Sequence, residues 1–94
     1  MSIKNAVFTA VESYPMGHEF GLWDLKRDVN KIYPASKFTH ADTVSRRLRE
    51  VRAYLYLGYK YTIVCIKPTM SRYKKMSKKD AALWLSAKKN KKAA

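Results

Sequence analysis

The stretch that most constrains the fold of this chain is Thr39-His-Ala-Asp-Thr-Val-Ser-Arg-Arg-Leu-Arg-Glu-Val-Arg52. Val44, Leu48, Val51 and Leu55 recur at four-, three- and four-residue steps, the spacing of an apolar stripe on a buried helix face. Thr39 stands where an N-cap belongs. Asp42, three residues on, gives a capping-box-like pair and complements the positive end of the helix. Thr39, Asp42, Thr43, Arg46, Arg49 and Glu50 fall on the opposite side of the helical wheel. Other elements must therefore cover the stripe, leaving arginines and hydroxyls outside. That arrangement suits a helix lying in a DNA major groove.

The rest of the chain supplies the cover. The spacing of Ile3, Val7, Ala10, Val11 and Tyr14 predicts a first helix capped by Ser2 and stopped by Pro15, with Gly17 in the turn. His18-Glu19-Phe20 reads as a short extended piece with Phe20 inward. A second helix follows Gly21, with Leu22, Leu25, Val29 and Ile32 inside, and Pro34 ends it. Ala35-Ser-Lys-Phe38 is a polar connector whose Phe38 suits a hydrophobic staple on Thr43 or Val44. After the third helix, with Gly58 as its breaker, Tyr59–Lys67 is rich in β-formers and predicts a strand. Tyr54–Leu57 fits either the partner strand of a hairpin or the last helical turn. Residues 69–76 read as a basic loop. Ser77-Lys-Lys-Asp80 is a capping signature for a helix over 78–89, with Ala81, Trp84, Leu85 and Lys88 on one face. Disorder is expected beyond it.

Ninety-four residues fit one domain, and 47% hydrophobic content argues for a folded chain. The single Cys65 supports neither a disulfide framework nor a thiolate metal cluster, and reads as a small core hydrophobe. No apolar run approaches the ~20 residues of a membrane span, and the N-terminus lacks the apolar core of a signal peptide. A cytoplasmic location is expected. Charge carries the strongest compositional signal, at +13 overall. Residues 1–66 hold ten basic and six acidic side chains, whereas residues 67–94 hold ten basic and one acidic. The expected organisation is a body over 1–68 and a basic extension over 69–94, a distribution that points to a polyanion such as nucleic acid.

The order helix, short strand, helix, helix, hairpin and tail resembles the winged helix-turn-helix superfamily over roughly residues 3–68. Asp42-Thr-Val-Ser-Arg-Arg-Leu-Arg-Glu-Val-Arg52 is similar to the recognition helices of winged-helix regulators, where a T-V-S-R-x-L-R-x-L-R type pattern recurs. Gly21-Leu-Trp-Asp-Leu25 resembles the start of the helix before recognition. The resemblance implies an α+β, mainly α fold with a three-helix core and a β-hairpin wing. It also implies a recognition helix in the major groove and double-stranded DNA as partner. The expected role is a small transcriptional regulator or accessory factor of a size that fits a phage or mobile element. A winged-helix module for protein or RNA is the alternative, since one fold serves several ends.

Arg46 and Arg49 are the base-edge candidates, because an arginine can bond two acceptors of guanine at once. Thr43 and Ser45 suit phosphates or a thymine methyl. Ser36, Lys37, Thr39 and His40 lie near the helix start, where anions bind. Arg47 and Arg52 flank the packed face and are expected to reach towards the DNA backbone. Lys60 is the cation of the expected wing. Arg72, Lys74, Lys75, Lys78 and Lys79 give the tail its phosphate contacts, while Arg46 opposite Glu50 at i,i+4 is the purely structural alternative. Tyr54, Tyr56, Tyr59, Tyr61 and Tyr73 fit cross-strand packing better than stacking on bases. Trp84 and Leu85 fit docking on the body or, as the resemblance implies, a homodimer contact. The helix is short and its apolar face narrow for an anionic membrane surface, so no membrane partner is expected. Trp23, outside the packed face of its helix, is a candidate partner for that docking.

An enzyme is not expected. His18 and His40 lie far apart in sequence, and the chain has no HExxH pattern, glycine-rich phosphate loop or paired carboxylates in an apolar setting. Neither metal nor cofactor is implied.

Overall fold

The first helix, α1 (Ile3–Ser13), begins where the Ser2 hydroxyl accepts the Asn5 amide at 3.1 Å. Two further helices follow, α2 (Leu22–Ile32) and α3 (Ala41–Gly58), joined by a 3-10 turn over Pro34–Phe38. The computed structural model describes residues 2–58 and 60–93, with 88–93 described by their backbone alone. Tyr59, expected to open a strand, lies outside the described residues, as do Ala94 and the Lys88 side chain.

Apolar residues at helical spacing on all three helices close on one another. Val7 and Val11 of α1, Leu25 and Val29 of α2, and Leu48 and Leu55 of α3 are all buried in one cluster. Three strands extend this core: β1 (Glu19–Gly21), β2 (Tyr61–Lys67) and β3 (Arg72–Ser77). They form an antiparallel sheet in the order β1-β3-β2, with Phe20 opposite Tyr73 and Ile63 opposite Lys75. Alternation along β2 divides its side chains. Tyr61, Ile63 and Cys65 pack with the three-helix core, while Val64 and Ile66 join a second cluster with Met76, Ala81 and Trp84. Ala81 and Trp84 belong to α4 (Lys78–Ala93), so the sheet has α1–α3 on one face and α4 on the other. Among the described residues the chain is a small, mainly helical α+β fold of four helices and one three-stranded sheet.

Residues 72–77, expected within a basic loop and its helix cap, are instead the middle strand of the sheet. A boundary at residue 68 would cut the hairpin between its two strands. Tyr54–Leu57 completes α3, because Leu55 continues the stripe of Val44, Leu48 and Val51. The hairpin partner of β2 is therefore β3, and its turn lies at Pro68–Ser71, with Ser71 in the left-handed region at φ 48°. Lys60 stands before β2, away from that turn, so it is not a tip residue.

Thr39 does not open α3. Its amide closes the preceding turn on the Ser36 carbonyl, and the His40 carbonyl accepts the amides of Thr43 and Val44. Phe38 is 83% exposed and forms no staple. The last helix runs through Ala93, beyond the end expected at Lys89. Ser77 caps it as expected, accepting the Asp80 amide at 3.1 Å.

Candidate nucleic-acid interface

The outer surface of α3 divides into three lanes. On the side of α1, Arg47 pairs with Glu50 at 2.9 Å, Lys4 approaches the same carboxylate at 3.8 Å, and Tyr54 meets Phe8 edge to face. On the side of β2, the Arg52 Nε donates to the Ile63 carbonyl at 3.0 Å, and its guanidinium lies 5.4 Å from the centre of the Tyr73 ring. Arg46 and Arg49 occupy the exposed lane between. Among the described residues, neither has a carboxylate within ion-pair distance. The i,i+4 pairing of Arg46 with Glu50 is replaced by the i,i+3 pairing of Arg47. Thr43 and Ser45, closer to the helix start, are half-buried.

The other expected contacts separate by exposure. Lys37, His40, Lys60 and Lys79 are exposed, and Thr39, Lys74 and Lys78 are partly so. Ser36 leaves the set. It is fully buried, and its hydroxyl donates to Asn30 Oδ1 at 2.6 Å while its carbonyl receives Lys26. The hydroxyl holds the connector on α2 and has no surface for a phosphate. Arg72 contacts Asp24 at 3.4 Å, and the same carboxylate accepts the Gly21 amide at the start of α2.

Lys75 lies inside the protein. It is 4% exposed, and its Nζ donates to the carbonyls of Val11, Glu12 and Tyr14 at 3.0, 3.2 and 2.7 Å. These belong to the last turn of α1 and its C-cap residue, where helical carbonyls run short of internal partners, although that of Val11 also accepts the Tyr14 amide at 3.2 Å. A cation there also meets the negative end of the helix. The ammonium lies 4.1 Å from the centre of the Tyr61 ring. Burial lowers the Lys75 pKa from its ordinary value, opposed by the Glu12 carboxylate. Three acceptors around three N–H groups still fit the charged form. This lysine is an internal helix cap and cannot reach DNA.

One depression adjoins the exposed lane of α3. It has a volume of about 660 Å³ and lies between the C-terminal half of α3, β2 and the first turns of α4. Arg49, Arg52 and Lys78 border it, and Ala53, Val64 and Leu85 contribute apolar surface. The basic composition of residues 78–89 carries no signal that α4 folds back beside α3. The i+4 step from Val51 to Leu55 was the available signal, since a helix reaching residue 55 places Ala53 and Tyr56 outside.

Trp84 packs on the chain's own sheet, as expected for docking on the body. Leu85 remains 45% exposed beside the depression. Among the described residues no helix is long and apolar enough to cross a membrane, and no cluster of three or more His, Cys, Asp or Glu could hold a metal ion. No family model, curated protein or solved structure matches the chain.

Proposed function

We propose that this chain is a winged-helix protein that binds double-stranded DNA, with α3 as the recognition helix, and acts as a small regulator or accessory factor. The observation that carries the reading is the lane of Arg46 and Arg49. Both guanidiniums stand in solvent without an acidic partner among the described residues, while the neighbouring Arg47 is neutralised by Glu50. Unpaired arginines on an exposed helix are free to bond base edges and phosphates without first breaking an internal ion pair. The element order, with a hairpin after α3 and strand order β1-β3-β2, supports the family resemblance.

In this reading Arg46, Arg49 and Thr43 meet bases. Lys37, Thr39 and His40, at the start of α3, meet the backbone on one side. Lys60, Lys78 and Lys79 meet it on the other, and Lys67, exposed beside the hairpin turn, joins them. A protein-interaction role is the second reading, favoured by Trp23 and Phe38, which are 74% and 83% exposed. An electrophoretic mobility shift on random duplex DNA at low salt separates the two. Retarded complexes are expected, and free DNA at every protein concentration would remove the DNA reading.

A further inference from the structure

The depression beside α3 combines two properties. Its inner surface is largely apolar, and cations from two helices stand around it. Ala53 on α3 and Ala82 on α4 leave room that larger side chains would fill, with Val64 and Leu85 beside them. At about 660 Å³ it falls within the ~300–1,000 Å³ range of small-molecule sites. Arg49, Arg52 and Lys78 border it, and no lining residue is acidic. Among the described residues none of the three has a carboxylate within ion-pair distance. Arg52 is held in place by its bond to the Ile63 carbonyl, which leaves its terminal nitrogens as the groups available to an anion.

From this we infer a binding site for a small amphipathic organic anion, an alkyl or aryl carboxylate whose apolar body lies along Ala53, Val64 and Leu85 while its carboxylate meets Arg49, Arg52 and Lys78. Charge complementarity selects an acid over a neutral apolar molecule, since three cations around a low-polarity trough strengthen each interaction with one anion. The β2 edge argues against an extended peptide as occupant. A peptide adding to that edge would need the Ile63 carbonyl, which Arg52 already occupies. The site does not depend on DNA binding. If α3 does bind DNA, Arg49 belongs to both surfaces, and the carboxylate and the duplex compete.

The test is titration of the full chain with decanoate, followed by amide NMR shifts. Saturable shifts confined to residues 49–56, 62–64 and 78–85 are expected, with 1-decanol binding at least about tenfold more weakly, the loss typical of an unpaired charge site. Lys78→Glu should weaken decanoate at least about tenfold, and Ala82→Trp should abolish binding by filling the trough while the remaining spectrum stays native-like. Should Ala82→Trp fail to fold, Lys78→Glu with the alcohol control decides alone. Equal binding of decanoate and decanol, shifts scattered over the lysine-rich surface, or no saturable shift would each overturn the assignment. So would shifts in these residues with duplex DNA or an acidic peptide but not with decanoate.

Discussion

Two basic segments, the outer face of α3 and the strand β3, use their cations in opposite ways. Arg46 and Arg49 lie on a helix covered on one side only, and their head groups stay in water. Arg72 and Lys75 lie on a strand paired along both edges, with helices on both faces. There Lys75 caps α1 and Arg72 reaches Asp24. Charge counted along a sequence therefore overstates the charge available to a partner. Of the basic C-terminal third, one lysine is spent inside the protein and one arginine is tied to α2.

The contrast is sharpest for truncation. Removing residues 72–94 takes out the middle strand, so the remaining chain should show no cooperative thermal transition by circular dichroism. A retained native-like melt would mean that β3 is an appendage. Next in size is Lys75→Met, which keeps the aliphatic stem but removes the donor of the Glu12 and Tyr14 carbonyls and leaves that of Val11 with the Tyr14 amide alone. Buried polar groups left unsatisfied cost roughly 1–3 kcal/mol each, so a loss of about 3 kcal/mol is expected in urea unfolding. That rivals Leu48→Ala, expected to cost about 2–5 kcal/mol from the cavity it leaves in the fully buried cluster. A loss well under 1 kcal/mol for Lys75→Met would return this residue to the surface.

Smaller effects separate the two kinds of arginine. Arg72→Ala removes a half-exposed pair worth about 0.2–1 kcal/mol, whereas Arg46→Ala should change stability by less than about 0.5 kcal/mol. Alkaline pH gives a subtler test. The Tyr14 pKa is raised above its ordinary value of 10.0 by burial, by the hydrogen bond from its hydroxyl to Asp28, and by that carboxylate's charge. Burial raises Tyr73 as well. Above about pH 10 the unfolded chain releases tyrosine protons that the folded chain keeps, so stability falls as pH rises. Lys75 acts in the opposite sense, because between its lowered pKa and 10.5 the unfolded state binds the extra proton. Tyr14→Phe should therefore flatten the alkaline decline of the urea midpoint. An unchanged decline would place its origin elsewhere.

Much of the fold was legible because helical periodicity is a strong signal. The stripes of α1, α2 and α3, the Ser2 and Ser77 caps, and the inward Phe20 all follow from spacing and local hydrogen bonding. The third strand was not legible. Arg72-Tyr-Lys-Lys-Met-Ser77 places cations at positions facing both sides of the sheet, so the alternation of apolar and polar residues that marks a strand is broken. Only tertiary structure explains Lys75 there, since the carbonyls that satisfy it come from residues more than sixty positions earlier. Within the candidate interface, the outward placement of Arg46 and Arg49 was legible from the helical wheel. The burial of Ser36, the pairing of Arg47 and the pinning of Arg52 depend on Asn30, on which neighbour Glu50 meets, and on β2. The first and the last have no local signature, whereas i,i+3 and i,i+4 spacing offered Glu50 two arginines and only the fold decides between them.

The most direct test of the central claim measures duplex affinity across a salt series, comparing Arg46→Ala/Arg49→Ala with Lys78→Ala/Lys79→Ala on a preferred and a random sequence. The arginine pair should lose about tenfold or more on the preferred sequence and far less on the random one, because each bidentate contact discriminates by about 1–3 kcal/mol. The lysine pair should weaken both sequences alike and lower the salt slope by about 0.9 for each phosphate released. Equal losses on both sequences for the arginine variant, or none at all, would contradict α3 as the recognition helix.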